Sequence, residues 1–305
     1  MLSVLTWLWA QPGVKSAYTA DHVNLWATMI RRNLTLPHRI ACVTDMPAGI
    51  DPSIEIIAPP RDFEAMRIPT WAETRPQCLR RLVMFAPDAA ATFGERIVCM
   101  DLDCVIGRSL DPLFVGDHEF KICQGSTPDR PYNGSIFMLR AGSRPQVFEK
   151  FTREAAIEAG RRFLGSDQAW ISHILPREKT WGEPDGVYFW NLIGQVEAEI
   201  SRVTFFPGTP KPWDVVLGDQ ASWVVRNYRT RLGGRCLVVG NGTHVWTEVA
   251  QSLKTGRFDR VIVSPEVKPY WQGEALVAPN DAAADRLVSM LGFDQTVYCG
   301  RRGRE

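Results

Sequence analysis

The sequence contains no C-x-x-C pair, and its seven cysteines (Cys42, Cys78, Cys99, Cys104, Cys123, Cys236, Cys299) are odd in number and scattered. That pattern argues against a disulfide framework or a cysteine-based zinc site and points to a reducing, cytoplasmic setting. No apolar run approaches the ~20 residues of a membrane span. The opening "MLSVLTWLWA" has neither a basic flank nor a small-residue cleavage site, so it reads as a first core strand. Charge of one sign is also missing. The formal net charge is +1, which gives no long-range steering toward nucleic acid or an anionic bilayer, and the locally basic "GRRGRE" reads as a solvated tail. Internal repeats and low-complexity stretches are absent.

What is present is core-forming material. A chain of 305 residues, 45% apolar, suffices for one large domain or two modest ones. Short apolar runs alternate with helical periodicity: "LSVLTWLW" as a strand, then "TADHVNLWATMIRRNL" with Val23, Trp26, Met29 and Ile30 on one face and Thr19 or Asp21 as cap. "HRIACVTD" and "IEIIAP" follow as strands, which is the β-α-β alternation of a parallel α/β sheet. "CLRRLVMFAP" reads as a helix ended by Pro87, and "RIVCMDLDCVI" as the strongest strand. Beyond Ile106, strands ("KICQGS", "GSIFMLR", "VTFFPG") mix with helices such as "PQVFEKFTREAAIEAGRRF". The expected fold class is α/β with a mixed, Rossmann-like sheet over residues 1–229. Residues 230–305 form a small α/β extension, with "RCLVVGNG" and "DRVIVSP" as strands and "HVWTEVAQSLKTG" and "AADRLVSMLG" as helices. "VVGNGTHVW" lacks the G-x-G-x-x-G spacing and reads as a packing turn.

The chemistry concentrates at "CMDLDCVI". On an extended backbone Asp101 and Asp103 would share one face while Leu102 packs the other way. Two carboxylates so spaced suit a hard divalent cation, Mn²⁺ or Mg²⁺, at the carboxyl end of a strand, where open α/β sheets place their ligands. The plain alternative is a strand end that turns polar as it enters solvent.

"RLVMFAP…ERIVCMDLDCVIGRSLDPLF" resembles the helix-strand-D-x-D signature of the glycogenin-like, galactosyltransferase-type retaining glycosyltransferases of the GT-A fold. "YNGSIFMLRAG", "LGSDQAW" and "FPGTPKPW" are similar to three further motifs of that family, in the same order. The resemblance runs from about Leu2 to Tyr228. It implies a nucleotide-diphospho-sugar transferase fold, a nucleotide-sugar donor, UDP-linked, and transfer with retention. It also implies that Asp101 and Asp103 ligate the metal and touch the nucleotide, and that Asn133 and Gly134 line the donor-sugar pocket. Asp167 and Gln168 would bond sugar hydroxyls near the anomeric carbon, with Asp167 as a transient carboxylate partner. Gly208 and Lys211 would cradle and neutralise the departing diphosphate. Thr6, Trp7 and Trp9 would lie against base and ribose, and Arg81 matches a basic position that reaches the donor.

One departure stands out. Where the family supplies a metal-ligating histidine before the G-x-x-K-P-W glycine, this chain has Phe205, Phe206 and Pro207. His173 and His244 are the substitutes the sequence offers, although a lone histidine is more often structural. Simpler readings exist elsewhere too. Trp7 and Trp9 could be two-sided core, and Ser166 or Asp167 could cap a helix beginning at "SDQAWISHIL". Lys211 could be a surface lysine, yet the flanking prolines stiffen its loop and preorganise it for an anion. The missing histidine keeps open a rival reading, a non-catalytic nucleotide-sugar or glycan-binding module. A sugar-nucleotide pyrophosphorylase is disfavoured because no G-x-G-T-R-type loop follows the first strand. The acceptor, whether glycan, lipid-linked sugar or protein, is not specified by these residues.

Overall fold

The computed structural model describes residues 1–10, 18–71, 77–192, 200–214, 223–224 and 227–228, together with the backbone of 235–240, 260–263, 276–277 and 295–299. The chain divides into two units: Met1–Ala27, Asn33–Leu102 and Ser109–Tyr188 form the first, and Thr28–Arg32, Asp103–Arg108 and Phe189–Glu305 the second.

In chain order the elements are β1 (Leu2–Leu8), α1 (Ala20–Asn33), β2 (His38–Thr44), β3 (Glu55–Ile57), a 3₁₀ helix (Leu79–Phe85), α2 (Ala89–Phe93), β4 (Arg96–Met100), β5 (Cys104–Ile106) and α3 (Asp111–Phe114). Then come β6 (Phe120–Thr127), β7 (Arg130–Arg140), α4 (Gln146–Glu149), α5 (Arg153–Arg162), α6 (Asp167–Ile174), β8 (Lys179–Trp181), β9 (Val187–Phe189) and β10 (Val203–Phe205). Strands β11 (Arg235–Gly240), β12 (Arg260–Val263), β13 (Leu276–Val277) and β14 (Gln295–Cys299) complete the described elements.

The first unit is built on a seven-stranded sheet ordered β3-β2-β1-β4-β7-β6-β8. Strands β3, β2, β1 and β4 are parallel neighbours, β7 is antiparallel to both β4 and β6, and β8 returns parallel to β6. This is the mixed α/β sheet that the sequence predicts. Both faces are covered: Leu5, Val43, Ile97 and Phe137 join one apolar cluster, while Val4, Cys42, Val98 and Met138 are equally buried. The cluster packs the sheet against Leu82 and Val83 of the 3₁₀ helix, Ala156 and Ala159 of α5, and Trp170 and Ile171 of α6. In α1, Val23, Trp26, Met29 and Ile30 are all buried, as their spacing requires.

Three local expectations change. "LRRLVMF" winds as a 3₁₀ rather than an α-helix; all seven of its residues are buried, and Ala86, which precedes Pro87, is held extended (ψ 147°) and stops it. The long helix expected over "PQVFEKFTREAAIEAGRRF" is broken into α4 and α5, because Thr152 turns extended and its Oγ1 caps the Ala155 N–H at 3.1 Å. The apolar run "RIVCMDLDCVI" supplies two strands, not one. β4 ends at Met100 in the seven-stranded sheet, and β5 pairs antiparallel with β10, Cys104 opposite Phe205. The Asp-Leu-Asp triplet is therefore a bend and not extended strand.

In the second unit, β13-β12-β11-β14 form a parallel four-stranded sheet. The helices expected at "HVWTEVAQSLKTG" and "AADRLVSMLG", the part of the expected packing turn beyond Gly240, and His244 lie outside the described residues. Among the described residues, no helix is long and apolar enough to cross a membrane, and the five cysteines whose side chains are described form no disulfide.

Candidate active site

Asp101 sits immediately beyond β4, and its N–H donates to the Ser135 carbonyl of β7 (2.8 Å). It continues the regular β4–β7 ladder, one step past Met100 opposite Ile136. Register against β6 jumps between Ile122, opposite Phe137, and Cys123, opposite Asn133, so the intervening residues bulge. Inside the bulge the Asn133 Oδ1 accepts the Ser135 N–H at 2.8 Å, which holds the turn locally.

Arg81 organises the surrounding charge. Its Nε and Nη2 donate to Asp167 Oδ2 (2.9 and 2.6 Å), and its Nη1 donates to Asp101 Oδ1 (2.7 Å). Arg81 and Asp167 are 5% and 3% exposed, so this is a buried charge network rather than a surface pair. Burial alone would lower the guanidinium's pKa, but the facing Asp167 and Asp101 carboxylates outweigh it and hold Arg81 well above its ordinary value. The thiol of Cys99 close by is pushed up to about 12 by burial, partly offset by Arg81.

The 3₁₀ helix and α6 are stapled where Arg81 meets Asp167: the Cys78 N–H donates to Ser166 Oγ at 2.8 Å. Asp167 occupies the first position of α6, where a carboxylate is favoured by the helix dipole. Ser166 does not cap the helix with its side chain, and Asp167 gives its carboxylate to Arg81, so the capping alternative does not describe this pair. Gln168 uses both ends of its amide on backbone: Oε1 accepts the Gly134 N–H (3.1 Å) and Nε2 donates to the Leu164 carbonyl (3.0 Å). Gly134 is glycine for a spatial reason. A Cβ there would lie 2.8 Å from Arg81 Nη2 and 3.4 Å from Asp167 Oδ2.

The second unit holds Asp103 and Lys211. Lys211 Nζ donates to Asp103 Oδ2 and to the Phe206 carbonyl (3.1 Å), and the Phe206 N–H donates to the Asp103 carbonyl (2.8 Å). Both charged residues are 8% exposed. The Phe206 ring stacks on Trp190 at 4.8 Å and 15°, so Phe205 and Phe206 are core side chains here, and the Phe206 carbonyl is taken by Lys211. Gly208 takes φ +78°, a left-handed conformation that favours glycine.

At the carboxyl end of β1, the buried Thr6 Oγ1 and Trp7 Nε1 have no hydrogen-bond partner among the described residues. Trp7 belongs to the apolar cluster and meets Trp9 edge to face at 5.8 Å; Trp9 is only partly buried. His173 stacks on Trp170 (5.8 Å, 28°), a packing role. Among the described residues no three His, Cys, Asp or Glu side chains converge as a metal cluster.

Sequence reading therefore marks Arg81, Asp101, Asn133, Gly134, Asp167 and Gln168, and the structure gathers these in the first unit. It joins Asp103 to Lys211 in the second. Sequence alone does not mark Ser135, whose carbonyl takes the Asp101 N–H, and it offers Ser166 only as a helix cap, whereas its Oγ accepts the distant Cys78 N–H. A separate shallow cavity of about 300 Å³, lined by Met1, Leu2, Pro37, Arg96 and Phe114 among others, lies at the amino ends of β1 and β4, away from Asp101.

No protein-family model matches the chain, and no curated protein matches it by sequence. Among solved structures, the chain is similar to the galactosyltransferase LgtC in complex with donor and acceptor sugar analogs, at 12% identity and TM-score 0.48, covering 82% of this chain and 95% of that one. It is similar also to an active-site mutant of LgtC, at 11% identity and TM-score 0.46, covering 69% of this chain and 89% of that one.

Proposed function

We propose that the chain is a GT-A-type glycosyltransferase that moves a sugar from a UDP-sugar to an acceptor hydroxyl of a glycan, lipid-linked sugar or protein, with retention. The observation that carries the reading is the buried Arg81 guanidinium shared between Asp101 and Asp167 at the carboxyl end of β4, where open α/β sheets bind their ligands. A charge network buried this deeply costs desolvation and is retained for a site more readily than for stability. The order of the four sequence motifs supports the same assignment.

By their chemistry Asp101 and Asp103 would suit Mn²⁺ or Mg²⁺, although each carboxylate faces a cationic side chain, Arg81 and Lys211 respectively. Asp101 and Asp103 are hard carboxylates two residues apart in the chain, and such cations are commonly held by one or two carboxylates with phosphate and water oxygens completing the shell. When bound, the cation supplies neutralisation of the diphosphate's developing charge. Lys211 adds a second positive charge for the leaving diphosphate. Arg81 fixes the Asp167 carboxylate so that it faces developing positive charge on the anomeric carbon without rotating. The acceptor oxygen forms the new bond as the sugar–diphosphate bond breaks, and its proton passes to the departing diphosphate oxygen. Asn133 and Gly134 line the sugar's pocket, and Gln168 positions Gly134. Thr6, Trp7 and Trp9 take the base and ribose.

UDP release from a panel of UDP-sugars with Mn²⁺ is the test. Turnover that falls at least 100-fold in Asp101→Ala and in Asp103→Ala is expected; donor binding without UDP release at any acceptor overturns the enzyme reading. That second outcome is the one the rival, a non-catalytic nucleotide-sugar or glycan-binding module, calls for, and Phe205–Pro207 in place of a histidine is the observation in its favour.

A further inference from the structure

Within the second unit, Asp103 is already neutralised by the chain itself. Lys211 Nζ is clamped between the Asp103 carboxylate and the Phe206 carbonyl, and Phe206 is in turn fixed by its own N–H on the Asp103 carbonyl and by its ring on Trp190. Pro210 and Pro212 flank the lysine in sequence and restrict the loop that carries it. The ammonium and carboxylate are both largely withdrawn from water, so the charges act on each other through a medium of low effective dielectric. A divalent cation brought to Asp103 would meet the like charge of Lys211 at close range. Lys211 is held on Oδ2 of Asp103, and like charges this close oppose each other, so each cation weakens the other's hold on the one carboxylate.

We propose that Lys211 is a resident counter-ion of Asp103 which must release the carboxylate when a divalent cation binds, and whose freed ammonium is then taken up by the nucleotide's diphosphate. This rests on the reading of Asp103 as a metal ligand and Lys211 as a diphosphate contact. The lysine's four-carbon stem lets the ammonium swing while its backbone stays in place. The exchange makes metal and nucleotide binding reciprocal: metal alone displaces a good ion pair, whereas metal with diphosphate gives the displaced ammonium a new partner.

The experiment is a titration of Mn²⁺ alone, followed through the EPR signal of free Mn²⁺, with and without UDP, in the full chain and in Lys211→Met and Lys211→Gln. The glutamine variant keeps a donor toward the Phe206 carbonyl if the methionine variant does not fold. In the unaltered chain, Mn²⁺ affinity should rise when UDP is added. In the variants, Mn²⁺ alone should bind about tenfold tighter, as expected when one like charge leaves a partly desolvated site, and the gain from UDP should shrink. Adding Asp103→Asn to Lys211→Gln should abolish that tightening. Equal Mn²⁺ affinity in the unaltered chain and a folded variant overturns the exchange while leaving Asp103 a metal ligand. Absence of Mn²⁺ binding in every protein, with UDP present, overturns both.

Discussion

At the scale of single residues, the first unit turns on how closely Gly134, Arg81 and Asp167 approach. Gly134→Ala places a methyl 2.8 Å from Arg81 Nη2, and the guanidinium cannot retreat without breaking its bonds to Asp167. The expected cost is about 1–3 kcal/mol, read as a lower urea midpoint, together with loss of UDP release. Gly208→Ala is the informative contrast, since a Cβ there meets nothing within 4 Å among the described residues and the positive φ opposes it; about 1 kcal/mol is expected. Removing Arg81 is harsher. Arg81→Met leaves Asp167 buried without its partner, which should cost about 3–5 kcal/mol, and Arg81→Lys will not rescue it because one ammonium cannot span both carboxylates as the planar fork does. Urea denaturation of the four variants checks this ranking. Arg81 itself is marked in the sequence only through the family resemblance, as a basic position that reaches the donor. Its pairing with Asp101 and Asp167 is not legible there, because a helix-like pattern says which face is apolar and nothing about a charged residue buried among apolar ones.

At the scale of elements, the sheet is right where its strands are strongly periodic and wrong where tertiary partners intervene. β1, β2, β4 and α1 follow directly from apolar spacing. The 3₁₀ helix, the break between α4 and α5, and the β7 bulge do not, since apolar spacing carries no signal for a buried 3₁₀ winding, the Thr152 cap or the Asn133–Ser135 turn. One element joint makes a pH prediction. Asp111, at the start of α3, accepts the Thr35 N–H (2.8 Å), the Thr35 hydroxyl and the Leu36 N–H (3.3 Å), tying α3 to the turn before β2. Those bonds, the Thr35 hydroxyl foremost, hold its carboxyl below the ordinary aspartate value. A pKa lowered on folding means stability that is fully present above the unfolded value and lost as pH falls through the folded one. Asp111→Ala should therefore lower the thermal midpoint at neutral pH, and the difference from the unaltered chain should shrink as pH falls below ~4.

At the scale of the whole molecule, the thiols report on opening. Burial pushes Cys42 and Cys99 up to about 12, with the Leu8 backbone bond and Arg81 respectively pulling in the other direction. Both are buried in the first unit's sheet. Alkylation by iodoacetamide at neutral pH should thus be negligible at these positions in the native protein, and mass spectrometry should find them modified only under conditions that unfold the sheet. Rapid native labelling of Cys99 would mean that the β4–β7 region opens locally.

The sequence by itself determined the α/β class, the order of the first strands, the buried face of α1 and the positions worth suspecting, because burial periodicity and short motifs are local and survive in a one-dimensional reading. Only the tertiary structure decided what the suspected residues hold. Arg81 reaches Asp167 across 86 positions, and Lys211 reaches Asp103 across 108. The aspartates that look like one open pair in the sequence are each matched to a cation: Asp103, withdrawn from water, needs a partner and finds Lys211, while Asp101 stays about a third exposed beside the buried Arg81.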